Sequence, residues 1–207
     1  LPIFQVIVGA KAESVGDEMK KVVARGPVAA AAAASHSAPV AAQAVKPQAV
    51  ANAKTVEALV SPITGDIVAL EQVPDEAFAS KAVGDGVAVK PTDKIVVAPA
   101  AGTVVKIFNT NHAFCLETEN GAEIVVHMGI DTVALNGQGF KRLVEEGAEV
   151  KAGEPILELD LEFLNANARS MISPVVCSNS DDYSALVIQA TGKVVAGQTP
   201  LYEIKGK

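Results

Sequence analysis

From about Thr55 onward the chain alternates short apolar runs with polar breaks and shows little sustained helical spacing of its apolar residues. Gly65-Asp66, Gly84-Asp85-Gly86, Gly102-Thr103, Asn120-Gly121, Asn136-Gly137, Gly153 and Gly197 fall between those runs at turn-like intervals. Gly84-Asp85-Gly86 is too short for a loop that cradles phosphates and reads as a turn. Helix is confined to three short pieces, around Pro74–Ser80, Phe140–Glu146 and Leu161–Ser170. This pattern predicts an all-β domain, an antiparallel β-sandwich or squashed barrel with a few short helices.

Two pairs of segments resemble each other and point to duplicated hairpin units. Ser61-Pro62-Ile63-Thr64-Gly65-Asp66-Ile67-Val68 echoes Ala98-Pro99-Ala100-Ala101-Gly102-Thr103-Val104-Val105. Val150-Lys151-Ala152-Gly153-Glu154-Pro155-Ile156 likewise echoes Val195-Ala196-Gly197-Gln198-Thr199-Pro200-Leu201. Each reads as strand, turn, strand, with Gly supplying the turn.

Upstream the texture changes. Residues 1–24 read as a small α/β fragment: an apolar run Ile3–Val8, a break at Gly9, and a modest amphipathic helix from Glu13 to Val23. So small a unit cannot build its own core. Residues 25–55 are mostly Ala, Pro, Val, Ser and Gln, and Pro27, Pro39 and Pro47 interrupt any helix the alanines start. That stretch reads as a mobile, extended linker, leaving residues 56–207 as the globular domain.

Composition narrows the class. Hydrophobic residues make up 49% of the chain, enough for a core, although only 4% is aromatic. The formal charge of −7 argues against a nucleic-acid surface. No apolar run approaches the ~20 residues of a membrane span and no signal peptide is visible, so no membrane insertion by this segment is expected. Because the chain starts at Leu1, it is expected to be part of something longer. Cys115 and Cys177 form no metal or redox motif and read as buried, reduced thiols of a cytosolic protein.

The chain has three histidines, and two of them flank one expected hairpin. Asn120-Gly121 suits a type I′ turn, which needs positive φ at both central residues. In that register Glu119 faces Ala122, Leu116 faces Val125 and Phe114 faces His127. Side chains alternate along a strand, so His112 shares a face with His127 as its diagonal neighbour, roughly 7–8 Å away between backbones. A three-residue loop would break this parity. Cys115 falls on the face opposite His112.

Three chemistries suit two imidazoles. Zinc would need further ligands, and Glu117, Glu123 and Asp131 are the nearby carboxylates. General acid–base work lacks an evident Ser or Cys nucleophile on the same face. In nucleophilic catalysis one neutral imidazole attacks phosphorus in line, while the other donates a hydrogen bond to the phosphoryl oxygens. Thr110 shares the parity of His112 and is placed to orient that second ring. No Walker loop is present, which argues against a nucleotide donor.

Val83-Gly84-Asp85-Gly86-Val87-Ala88-Val89-Lys90-Pro91, Thr110-Asn111-His112-Ala113-Phe114 and Val126-His127-Met128-Gly129-Ile130-Asp131-Thr132 resemble signature stretches of the glucose-family IIA domain. That domain belongs to the bacterial phosphoenolpyruvate-dependent sugar phosphotransferase system. The resemblance covers roughly residues 56–207 and implies a β-sandwich with both histidines in a shallow depression. It implies a phosphotransferase that carries a covalent phosphate on His127, with His112 as partner ring and Thr110 orienting it, and requires no cofactor. Asp75 and Asp131 match acidic residues that meet partner arginines. Phe78, Val83, Phe108 and Val133 match parts of an apolar docking collar.

The first segment, Gln5-Val6-Ile7-Val8-Gly9-Ala10-Lys11-Ala12-Glu13, resembles the end of a IIB domain, whose acceptor cysteine would precede Leu1. The order is similar to fused IICBA permeases, nearest the N-acetylglucosamine type. The resemblance thus implies HPr as donor, a IIB cysteine as acceptor, and a cytoplasmic position beside an inner-membrane permease. The alternative reading is a zinc-dependent hydrolase using His112 and His127, and zinc bound adventitiously or for regulation would use the same pair. A lysostaphin-like peptidase would want a His-x-His pair, which is absent, and a biotinyl or lipoyl carrier would want a lysine at the Asn120-Gly121 tip.

Overall fold

The structure is a computed structural model and describes residues 53–207. The expected fragment at 1–24 and nearly all of the expected linker at 25–55 lie outside the described residues. Within them, strand follows strand: β1 (Thr55–Val60), β2 (Ile63–Val68), β3 (Asp85–Val97), β4 (Gly102–Ile107), β5 (Ala113–Thr118) and β6 (Glu123–His127). Then come β7 (Phe140–Arg142), β8 (Glu149–Val150), β9 (Pro155–Leu159), β10 (Ser173–Cys177), β11 (Ala185–Ile188), β12 (Lys193–Val194) and β13 (Pro200–Lys205). Two short helices interrupt them, α1 (Glu76–Ala79) and α2 (Leu161–Asn167). None of the described helices is long and apolar enough to cross a membrane.

All pairings are antiparallel. A small sheet has the order β1-β13-β11, and the larger one runs β12-β2-β3-β10-β6-β5-β4-β8, with β9 joining β3 to β7. β3 is the spine, because its first half pairs with β2 and β10 and its end with β9. Alternation fills the space inside the curl: Phe114 and Leu116 of β5 and Ile124 and Val126 of β6 are wholly buried against Val89, Val175 and Tyr202. The expectation of an antiparallel all-β fold with few helices is met.

The duplicated segments meet each other across a pseudo-twofold junction. Val60 N donates to Pro99 O and Val97 N donates to Pro62 O, both at 2.9 Å. Gly197 N donates to Ser61 O and Gly153 N donates to Ala98 O, both at 2.8 Å. Gly153 and Gly197 are left-handed turn residues (φ 83° and 71°) lying back to back, so that a Cβ on Gly197 would stand 3.0 Å from the Gly153 Cα. For the first pair of echoes the expected turn role is wrong. Gly65 and Gly102 lie within strands, where a Cβ would stand 2.0 Å from Lys90 O and 2.2 Å from Glu117 O, so glycine there permits close backbone approach.

The helices also need correction. Around Pro74–Ser80 a helix does form, started by the Asp75 carboxylate accepting from Ala77 N and Phe78 N. Leu161–Ser170 stops at Asn167, where Ala168 turns to extended backbone (ψ 148°) after its N–H closes the last turn on Leu164 O. Phe140–Glu146 is not a helix. Phe140–Arg142 pairs with Leu157–Leu159 as an edge strand, and the remainder turns through Gly147. Sheet pairing there overrides a run too short for a stable helix.

Candidate functional site

The two histidines come together by a different route from the one the sequence suggests. In the β5–β6 ladder Ala113 faces His127, Cys115 faces Val125 and Glu117 faces Glu123, one residue out of the expected register. The loop has three residues: Thr118 N donates to Ala122 O at 2.9 Å, Ala122 N donates back to Thr118 Oγ1 at 3.0 Å, and only Gly121 has positive φ. Distant contacts select this turn, because Asn120 Nδ2 donates to Glu57 of β1 and Asn179 Nδ2 donates to Gly121 O. Cys115 therefore shares the face of His127, where it is fully buried with its thiol pushed up to about 12 by desolvation.

His112 precedes β5, in the turn that links it to β4. Phe108 N donates to Ala113 O, Asn111 N donates to Phe108 O, and Asn111 is left-handed at φ 53°. This turn, rather than strand parity, carries the His112 ring to within 4.9 Å of the His127 ring, edge-on at 71°. The pairing expected from the sequence is present.

Each ring is held at Nδ1. Gly129 O lies 2.8 Å from His127 Nδ1; a carbonyl only accepts, so Nδ1 carries the proton and Nε2 keeps its lone pair. Thr110 Oγ1 lies 2.5 Å from His112 Nδ1, the orienting contact expected of it. A hydroxyl proton donated to that nitrogen places the His112 ring proton on Nε2. Burial, and next the neighbouring His127, push His112 down to about 3. Desolvation also lowers His127, opposed by its bond to Gly129 and by the charges of Asp75 and Asp131. Both rings are neutral near pH 7.

Two of the expected collar residues stand against this pair. Phe78 is buried, with its ring 5.2 Å from that of His127, and the half-buried Phe108 ring lies tilted 5.4 Å from that of His112. Val133 is 52% exposed, the most exposed of the large apolar side chains among the described residues, and Val83 is half-buried. Asp75 is engaged as the cap of α1. Asp131 is exposed and left-handed at φ 60°, and it accepts from Arg169 Nη1 at 3.3 Å. Arg169 carries no local signal of that role.

Two further positions were missed although they sit inside the quoted motifs. Gly129 supplies the carbonyl that fixes the His127 tautomer, and its φ of 71° explains why glycine stands there. Asn111 accepts from Arg142 Nε at 3.0 Å and so ties the His112 turn to β7. Among the described residues no cluster of three His, Cys, Asp or Glu could hold a metal ion. Glu117 and Glu123 face each other farther along the β5–β6 ladder, and Asp131 is turned to Arg169. The zinc-hydrolase reading is not supported.

A neutral imidazole with a bare Nε2, beside a second imidazole able to donate from its own Nε2, defines a site for carrying a group on nitrogen. Comparison with known proteins agrees. The family model for the phosphoenolpyruvate-dependent sugar phosphotransferase system, EIIA 1, matches residues 57–183. The chain belongs to that family and is a phosphoryl-carrying component of a sugar phosphotransferase system.

It is 88% identical over 205 residues to the PTS system N-acetylglucosamine-specific EIICBA component of Klebsiella pneumoniae, covering 99% of this chain and 32% of that protein. The protein of the same name from Escherichia coli is 81% identical over 202 residues, covering 98% of this chain and 31% of that one. This chain therefore spans about a third of the length of those relatives. The glucose-specific EIIA component of Haemophilus influenzae is 48% identical over 143 residues, covering 69% of this chain and 86% of that protein. Among solved structures, the glucose permease IIA from Mycoplasma capricolum superposes with a TM-score of 0.64 at 31% identity, covering 71% of this chain and 94% of that one.

Proposed function

We propose that His127 Nε2 is the phosphoryl acceptor, HPr the donor and a IIB cysteine the next acceptor, within a permease for N-acetylglucosamine. The observation that carries the acceptor assignment is the Gly129 O bond to His127 Nδ1, which leaves Nε2 as the nucleophile. Its lone pair forms the new N–P bond as the donor's N–P bond breaks and the donor ring regains its electron pair. Nδ1 keeps its proton, so the charge that develops on the ring is met by the Gly129 carbonyl. His112, its Nδ1 taken by Thr110, donates from Nε2 to a phosphoryl oxygen. The work is positioning and electrostatics, as in phosphoryl transfer generally.

Docking follows from the surroundings. Val133, Phe108, Val83 and the edge of Phe78 form an apolar collar, with Asp75 and Asp131 as charges for partner arginines; this suits a small, transient interface. A guanidinium arriving at Asp131 exchanges with Arg169. Residues 1–24 as the tail of a IIB domain and 25–55 as a tether would keep the His127 domain near its own IIB cysteine at roughly millimolar effective concentration. That arrangement and the sugar are supported by the names of the two N-acetylglucosamine-specific EIICBA relatives, which match nearly all of this chain, and a cytoplasmic position is part of the same proposal. No metal is needed for this chemistry.

Intact-mass analysis after mixing the protein with phosphoenolpyruvate, enzyme I and HPr tests the relay. One acid-labile phosphoryl group that depends on HPr supports it, and no mass change with a proven donor mix rejects it.

A further inference from the structure

Buried polar side chains are few among the described residues: Ser61, His112, Thr118, Thr132 and Ser173. Burying a hydroxyl is costly unless it is bonded, so each needs an explanation. Ser61 sits at the pseudo-twofold junction and Thr118 closes the β5–β6 loop. The other three surround one short stretch of backbone, Met128–Ile130.

Ser173 opens β10 and is wholly buried. Its hydroxyl donates to Met171 O at 2.9 Å, which turns its lone pairs toward Gly129 N, bonded at 3.1 Å. Thr132 Oγ1 donates to Met128 O at 2.7 Å, at the other end of the same peptide unit. The following peptide is tied by Ile130 N donating to Ser170 O at 2.7 Å, and its carbonyl is the one that accepts from His127 Nδ1. Gly129 is left-handed, and a Cβ there would stand 2.8 Å from Ser170 O and from Thr132 Cγ2. The two peptides flanking Gly129 are thus clamped from β10, from the segment before it and from Thr132.

We propose that Ser173 and Thr132 are positioning residues for phosphoryl transfer, fixing the Gly129 peptides so that the carbonyl holds His127 in the Nδ1–H tautomer. The inference rests on His127 Nε2 being the acceptor. Its advantage is that the tautomer is set before the donor arrives. A free imidazole samples both tautomers, and each molecule protonated at Nε2 has no lone pair to offer there.

The test reads the tautomer directly, by ring-nitrogen NMR of the unphosphorylated, full chain. Wild type is expected to show His127 protonated at Nδ1. Ser173→Ala is expected to shift a measurable fraction to Nε2–H and to slow phosphoryl acceptance roughly tenfold, the loss of about one hydrogen bond's worth of alignment. Ser173→Thr, which keeps the hydroxyl, is expected to restore both. Thr132→Val keeps the shape, removes the other clamp and shifts in the same direction, which provides a reading if Ser173→Ala does not fold. A folded Ser173→Ala with the wild-type tautomer population overturns the inference, whether or not its rate falls. Phosphorylation of His127→Ala would instead overturn the acceptor assignment, and the tautomer measurement would still stand by itself.

Discussion

His112 and His127 stand edge-on with ring centroids 4.9 Å apart, yet they lie in different elements: His127 ends β6, and His112 belongs to the turn before β5. The arrangement divides the labour. His127 offers a lone pair at Nε2, and His112, anchored by Thr110, offers a proton. Replacing His127 with Ala is expected to abolish phosphoryl acceptance. Replacing His112 with Ala leaves acceptance but slows onward transfer by on the order of a hundredfold, the size of a lost transition-state hydrogen-bond donor. Rapid-quench assays of both half-reactions separate the two roles.

Thr110 acts only through His112, by the contact at 2.5 Å between Oγ1 and Nδ1. Thr110→Val preserves the shape of the turn and removes the hydroxyl. Onward transfer is expected to fall by about tenfold with thermal stability nearly unchanged, since one hydrogen bond is worth about 1 kcal/mol net. Equal loss in the His112→Ala background would show that Thr110 has another role.

Acid stability follows from burial of the rings. His112 is held down to about 3, first by desolvation and then by His127. In the unfolded chain an imidazole takes up its proton near pH ~6.5. Between those values the unfolded state binds more protons, so the contribution of His112 is fully present above the upper value. It is lost as pH falls toward the lower one, with a slope of up to about 1.4 kcal/mol per pH unit. Denaturant titrations at several pH values between about 7.5 and 4 should therefore show a shallower acid loss for His112→Gln than for wild type. Identical slopes would show that the ring protonates in place.

The pseudo-twofold junction should be intolerant at its axis. Gly197→Ala puts a side chain on a residue at φ 71° and within 3.0 Å of the Gly153 Cα. A destabilisation of about 1–3 kcal/mol is expected, read as a shift of the denaturation midpoint with the site's ring tautomers unchanged.

The parts of this molecule legible in its sequence are those set by local chemistry. Turn residues such as Gly153 and Gly197, the short helix around Pro74–Ser80 and the period of the β5 and β6 runs all act within a few residues of themselves. The β5–β6 register was not legible. Asn120 has the right identity for a type I′ turn, but contacts to Glu57 and Asn179 favour a loop with one more residue. Parity then fails, and the two rings meet because Asn111 turns His112 out of the strand.

Phe140–Glu146 shows the same limit, since its partner, Leu157–Leu159, is remote in sequence. Ser173 and Arg169 had no local signal at all. A serine before Pro174 or an arginine after α2 becomes meaningful only when the fold brings it to Gly129 or Asp131.

The most direct measurement is nitrogen–phosphorus coupling by NMR in the protein phosphorylated through HPr. A single coupling to His127 Nε2, with Nδ1 still protonated, is the expected result. Phosphate on His127 Nδ1, or on His112, would contradict the account, because the Gly129 carbonyl would then not decide which nitrogen reacts.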